Sequence, residues 1–173
     1  MPAALAYPPT ETLDRKHDRA SFSCGVPQLD AYIRERALQD QKKRAAVCWV
    51  LPHADHPTQI CGYSTLSAYS VALRDLPDEK ARQLPKYPTV PCALLGRLAV
   101  DSRFRGQKIG EHILMDAMAK VLEQSSTIAN YALIVDAKDA QIASFYARYD
   151  FIAFPSNPLR LFLPVSTIAQ LFA

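Results

Sequence analysis

Apolar residues recur at helical spacing in three parts of the chain and gather into short continuous runs between them. In "CGVPQLDAYIRERALQDQKKR", Leu29, Ile33 and Ala37 fall at i, i+4 and i+8, and Pro27 suits a first turn, which predicts one helix. The other side and the end of that helix are basic, with Arg34, Arg36, Lys42, Lys43 and Arg44. "AAVCWVL" and "QICGYSTLSAYSVAL" read as strands separated by the turn-rich "PHADHPT". A polar, proline-rich stretch, "RDLPDEKARQLPKYPTVP", follows with room for one short helix at its middle. "CALLGRLAV" is apolar on both faces, the mark of a central strand covered from both sides. Ile109, Ile113, Leu114, Ala117, Met118, Val121 and Leu122 then keep a 3.6-residue period to about Gln124. "YALIVDA" predicts a buried strand, "KDAQIASFYARY" a helix and "LRLFLPV" a last strand, so the class is mixed α/β.

Composition narrows this picture only a little. A chain of 173 residues that is 49% hydrophobic suffices for one core, and a single domain is expected, with residues 1–20 as a short arm or edge strand. The formal net charge of +3 is too mild to be a nucleic-acid signature, so any acidic partner must be argued from where the charges lie. Cys24, Cys48, Cys61 and Cys92 lack CxxC or metal spacing and read as buried reduced thiols; no metal is expected. The "HADH" turn, His53 to His56, reads as solvent-exposed. No apolar run approaches the ~18 residues that cross a bilayer, and the first residues lack a leader pattern, so a cytoplasmic protein with no membrane association is expected.

The candidate chemistry begins at "DSRFRGQKIG", between a strand and an amphipathic helix. A loop feeding a helix start leaves backbone N–H groups without intrahelical partners, at the positive end of the helix dipole. Such an end attracts phosphate, and Arg103, Arg105 and Lys108 add formal charge around it. A plain capped helix with a solvated basic turn has the same sequence, so the loop alone does not decide. It lacks the GK[ST] of a Walker loop and the GxGxxG of a dinucleotide site.

In its context the loop resembles the signature of the GNAT acetyltransferases, Arg/Gln-x-x-Gly-x-Gly/Ala at a strand-to-helix turn. Arg105 and Gly110 match its ends, while Lys108 stands where the central glycine belongs. The resemblance runs from roughly Phe22 to Pro164 and implies a mostly antiparallel sheet with a splayed parallel pair of strands holding acetyl-CoA. It implies that Arg103, Arg105, Gly106, Gln107, Lys108, Ile109 and Gly110 surround the cofactor's pyrophosphate. Leu98, Ala99 and Val100 would pair with the pantetheine arm as with an added strand, and Asp139 and Ser144 would lie beside the cofactor. Lysine is acceptable at 108 if that position takes helical dihedrals, since lysine is a good helix former.

In "SFYARYDF" the resemblance implies a catalytic role for Tyr146, as proton donor to the departing thiolate; Phe145 and Tyr149 read as packing residues. A phenol with an ordinary pKa of ~10 keeps its proton at neutral pH. Asp150 replaces the usual glycine of "YxxxGF" at a helix end expected in the left-handed conformation. No carboxylate or histidine stands out as a general base, which favours an amine already partly neutral, such as an α-amine of ordinary pKa ~8.

"FSCGVPQLDAYIRERALQDQKKRAAVCWVL", "LPKYPTVPCALLGRLAVD" and "LRLFLPVSTIAQLF" resemble more closely the acetyltransferase toxins of bacterial type II toxin–antitoxin pairs. That resemblance implies acetylation of aminoacyl-tRNA, arrest of translation, a ribbon-helix-helix antitoxin as partner and a homodimer. Candidate tRNA contacts are Arg34, Arg36, Lys42, Lys43, Arg44, Arg82, Lys86 and Arg97, with solvated helix faces as the plainer reading. Two rivals stay open: an acetyltransferase of small amines or protein N-termini, and an inactive module that keeps acetyl-CoA as a structural ligand.

Overall fold

A computed structural model describes residues 7–173. Its elements in chain order are β1 (Glu11–Thr12), α1 (Pro27–Glu35), α2 (Ala37–Lys42), β2 (Val47–Pro52), β3 (Ile60–Ala72), α3 (Asp78–Ala81), β4 (Thr89–Val100), α4 (Ile109–Gln124), β5 (Ala132–Asp136), α5 (Ala140–Ala147), β6 (Ile152–Phe154), β7 (Asn157–Pro164) and α6 (Val165–Leu171). The strands form one seven-stranded sheet in the order β1-β2-β3-β4-β5-β7-β6. β4 and β5 run parallel, while β1–β2, β2–β3, β5–β7 and β6–β7 are antiparallel. The expected mixed α/β class and mostly antiparallel sheet are therefore present. β1, two residues long, lies at one edge of the sheet beside β2; residues 1–6 of the stretch expected to be an arm or edge strand lie outside the described residues.

The chain gathers into two compact units, and β3, β4 and α4 each contribute to both. One unit comprises, among the described residues, 7–67 with Gly96–Met118. Its core holds Phe22, Ile33, Ala37, Cys48, Val50 and Tyr63, with Leu29 packed against it, so the Leu29–Ile33–Ala37 stripe faces inward as its spacing requires. The single helix expected there is two, because Arg36 leaves helical dihedrals at φ −124° and ψ −31°. Ala37 restarts the apolar face immediately after the break, and periodicity alone does not reveal it. A side chain at Gly62 would place Cβ 2.6 Å from Ile113 Cδ1 and 2.9 Å from the Ala99 carbonyl oxygen, so its absence is what lets β3 lie close against the first turns of α4.

The other unit comprises Ala68–Leu95 and Ala119–Ala173. Val71, Val90, Cys92, Ala132, Ile134, Phe154 and Phe162 form its core. Four consecutive β5 residues, Ala132 to Val135, are buried, which is why that strand reads as an unbroken apolar run. β6 and α6 go unread in the sequence. A three-residue strand is too short to show alternation, and the seven residues of α6 give less than two full helical periods. All four cysteines are buried and unpaired, as expected. Among the described residues no helix is long and apolar enough to cross a membrane.

Candidate active site

The loop after β4 is built around a buried carboxylate. Asp101, 1% exposed, accepts hydrogen bonds from the backbone N–H groups of Arg103 (2.9 Å) and Ser23 (3.1 Å). It also receives both arms of the Arg103 guanidinium, Nε and Nη2, at 2.9 Å each. Burial pushes the Asp101 carboxyl upward, but the Arg103 guanidinium and these two N–H groups outweigh it and hold the group below the usual carboxylate range. The clamp shapes a 3₁₀ turn at Ser102–Phe104 and pairs the Arg103 guanidinium with a carboxylate of the same loop. Arg105 is likewise engaged, donating from Nη2 to the Cys24 carbonyl at 2.6 Å.

Beyond this clamp the main chain turns twice through left-handed space, at Gly106 (φ +78°) and Lys108 (φ +60°), and α4 begins at Ile109. Lys108 therefore does not take the helical dihedrals expected of it. Glycine, which the family signature has at this position, would suit the positive φ, a conformation that strains a lysine by about 1–2 kcal/mol. The Lys108 carbonyl accepts the first helical bond, from His112 N–H at 3.1 Å. The N–H groups of Ile109, Gly110 and Glu111 have no hydrogen-bond partner among the described residues. Gly110 is not required by the fold: a Cβ there would meet only Val100 Cγ2, at 3.6 Å, an ordinary contact. What it leaves is bare backbone. At Gly106 a Cβ would meet nothing within 4 Å. Two left-handed residues leading into unpartnered helix amides form a concavity suited to phosphate oxygens, so the residues present fit the diphosphate of a CoA thioester.

β4 supplies a second feature of this kind. Its parallel pairing with β5 covers only Ala93–Leu95, and the strand continues to Val100. Asp101 N–H bonds the Cys61 carbonyl at 2.9 Å, and the Ala99 carbonyl lies against Gly62, so this edge of the strand serves β3. Backbone groups alternate in direction along a strand, which leaves Leu98 and Val100, not Ala99, to offer N–H and C=O groups to an added extended chain.

On α5 the sequence-read residues divide. Asp139 caps the helix, accepting from Ile142 N–H at 2.9 Å, and the Ser144 hydroxyl donates to the Ala140 carbonyl at 3.0 Å. Both side chains have local work. Tyr146 differs: its ring is 6% exposed, in edge contact with Phe145 at 5.2 Å and near Phe151 at 5.3 Å. Its hydroxyl makes no hydrogen bond among the described residues. Burial pushes the phenol up to about 12, so at neutral pH it is a proton donor with an unspent hydrogen. Asp150, at φ +70°, closes the helix in the left-handed conformation expected of it.

The basic residues read as RNA contacts also divide. Arg34, Arg36, Lys42, Lys43 and Arg44 are exposed, as are Arg82 and Lys86 in the other unit, and among the described residues none of them forms an ion pair. Arg97 is half-buried, its guanidinium 3.5 Å from the centroid of the Tyr32 ring, a cation–π contact. Sequence reasoning missed the Asp101 clamp, although Asp101 one residue before a helix-forming "SRF" is a capping signal.

A model of the acetyltransferase (GNAT) domain matches residues 91–160, and the chain belongs to the GNAT acetyltransferases. Within that family it is 36% identical, over 146 residues, to the tRNA-acetylating toxin of Mycobacterium tuberculosis, a match covering 84% of this chain and 85% of the relative. The solved structure of AtaT complexed with acetyl-methionyl-tRNAfMet superposes with a TM-score of 0.87 at 27% identity, covering 95% of this chain and 98% of that one. AtaTR bound with AcCoA superposes at 0.83 and 27% identity, covering 95% and 97%.

Proposed function

We propose that this chain is a toxin-type N-acetyltransferase that moves the acetyl group of acetyl-CoA to the α-amine of aminoacyl-tRNA and so blocks translation in the cytoplasm. The observation that carries the acyl transfer is the buried Tyr146 ring with its hydroxyl unspent. Acetyl-CoA, when bound, supplies an activated acyl carbon. The loop from Arg105 to Gly110 holds the diphosphate on main-chain N–H groups, and Leu98 and Val100 hydrogen-bond the pantetheine arm. The amine nitrogen attacks the thioester carbonyl, a C–N bond forms and the C–S bond breaks. Tyr146 gives its proton to the departing sulfur, and the proton shed by the nitrogen returns through solvent to the phenolate. A phenol near 12 is a weak acid, but a thiolate leaving in the same desolvated surroundings is a correspondingly strong base.

The acceptor class is supported by the likeness to the tRNA-acetylating toxin, which aligns with 84% of the chain, and by the chemistry of the amine. An α-amine beside an ester is partly neutral at pH 7 and needs no strong base, whereas a lysine amine near ~10.4 would. The exposed cations of α1 and α2, Arg34, Arg36, Lys42, Lys43 and Arg44, are assigned to RNA phosphates, with Arg82 and Lys86 as further contacts. A homodimer and a neutralising ribbon-helix-helix antitoxin complete the reading.

Incubation with labelled acetyl-CoA and total charged tRNA tests it. Label is expected on aminoacyl-tRNA and released as N-acetyl amino acid on ester hydrolysis. Label found only on free amines or protein N-termini would remove the RNA acceptor. Lys42→Glu with Lys43→Glu is expected to weaken tRNA acetylation about tenfold and flatten its salt dependence, with CoA affinity unchanged by calorimetry.

A further inference from the structure

The segment just before β1 is fastened to the loop and helix described above. The Tyr7 hydroxyl donates to the Gln107 carbonyl at 2.7 Å, across a hundred residues of sequence. The Tyr7 ring stands edge-on to His112 at 5.3 Å and packs on the cluster of Leu51, Ile109 and Ile113. One residue further, the Pro8 carbonyl accepts from His112 Nε2 at 2.8 Å, and buried Thr10 donates to buried Asp116. Pro8 and Pro9 hold the intervening backbone extended, and Tyr7 precedes a proline, so this strap has little freedom of its own.

The contact at Gln107 bears on the site, because in a planar trans peptide the C=O and the following N–H point in opposite directions. A hydroxyl that holds the Gln107 oxygen on one side therefore aims the Lys108 N–H to the other. Lys108 needs such a restraint. Its φ of +60° is unfavourable for a lysine, and a flip of the Gln107–Lys108 peptide would carry φ toward the negative values that lysine prefers. Glycine at this position would have no such bias.

We infer that Tyr7 is a positioning residue for cofactor binding: it locks the Gln107–Lys108 peptide with the Lys108 amide turned toward the diphosphate, and so compensates for a lysine where the family signature has glycine. This rests on the reading of the loop as the diphosphate site. A flipped peptide would present a carbonyl oxygen to an anion, so the loss should fall on affinity and not on the acyl step.

Calorimetric titration of CoA into the wild type, Tyr7→Phe, Lys108→Gly and the double variant tests it, with acetylation kinetics alongside. Tyr7→Phe keeps the ring against His112 and removes only the hydroxyl. It is expected to raise the Kd for CoA and the KM for acetyl-CoA together, by about three- to tenfold, the range of one hydrogen bond, while kcat at saturation stays within about twofold. In the Lys108→Gly background the same change should cost less than about twofold, since the coupling disappears with the lysine. Equal losses in both backgrounds, or an unchanged Kd in Tyr7→Phe, would overturn the positioning role while leaving the enzyme reading intact. A wild type that fails to take up CoA would overturn both.

Discussion

Between Asp101 and Gly110 the groups available to a ligand are backbone N–H groups, and the side chains mostly aim them: Asp101 holds Arg103 and two amides, and Arg105 reaches back to Cys24. On α5 the relation is reversed. The main chain, Asp139 and Ser144 hold the helix, and the available group is one phenolic hydroxyl on Tyr146. A site made of main chain keeps its chemistry when a side chain changes, provided the dihedrals survive, which is how a lysine can stand at 108. A site made of one oxygen atom has no such margin. The two regions should therefore respond differently to mutation, one through affinity and geometry and the other through rate.

The sharpest test of this contrast is Tyr146→Phe. The variant keeps the ring in its contacts with Phe145 and Phe151 and removes the unspent hydroxyl. Removal of a general acid lowers rates by 10²–10⁴, so kcat is expected to fall by about 10²–10³. CoA affinity should stay within about twofold, and growth inhibition in cells should be lost. Inhibition persisting at full strength would show that the hydroxyl is not the proton source.

Asp101→Asn comes next, and it addresses the aiming side chains. The substitution keeps the shape and removes the charge that Arg103 and two N–H groups satisfy, at an expected cost of about 2 kcal/mol at pH 7, in the range for hydrogen bonds to a buried charge. For a chain of this size that is a fall in Tm of roughly 4–8 °C. The pH dependence follows from the direction of the shift. A carboxyl held below its ordinary value in the folded state contributes fully above that value, near pH ~4, and loses its contribution as pH falls toward and through the folded value. Melting curves for the two proteins should therefore converge as pH falls below about 4. A gap that stays constant with pH would mean the clamp acts through shape alone.

How much of this was legible beforehand depended on whether the signal was local. α4 was read to its ends because sixteen residues repeat one apolar period, and β5 because it is buried on both faces. Asp150 was placed correctly because a left-handed helix end has its own chemistry. Tyr146 and the loop were legible only through a family pattern, since a lone aromatic and a basic turn each have commonplace structural uses. The Tyr7–Gln107 bond and the Asp101–Ser23 bond join residues far apart in sequence, and no local pattern encodes them. The partners of Arg103 and Arg97 are hidden for the same reason: the charges are visible in the sequence, but the carboxylate and the ring beside them are brought close only by the fold.

Lys108→Gly has the smallest expected effect, and it tests whether the loop is a main-chain device. The lysine occupies φ +60°, its side chain is exposed, and its carbonyl serves the first turn of α4. Glycine keeps the N–H and the carbonyl, relieves the left-handed strain and loses only a solvated ammonium. The relief of about 1–2 kcal/mol is partly offset by the greater freedom of glycine in the unfolded chain. A net gain below about 1 kcal/mol is expected, a rise in Tm of roughly 1–4 °C. CoA affinity should change by less than about threefold, because the donor is retained and one exposed charge near a phosphate contributes little at physiological salt. If the lysine's ammonium were instead the principal diphosphate ligand, affinity would fall tenfold or more and the loss would shrink steeply with added salt. Titrations at low and high ionic strength separate the two, since a contact made by main-chain amides on a fixed backbone should be the less salt-sensitive of them.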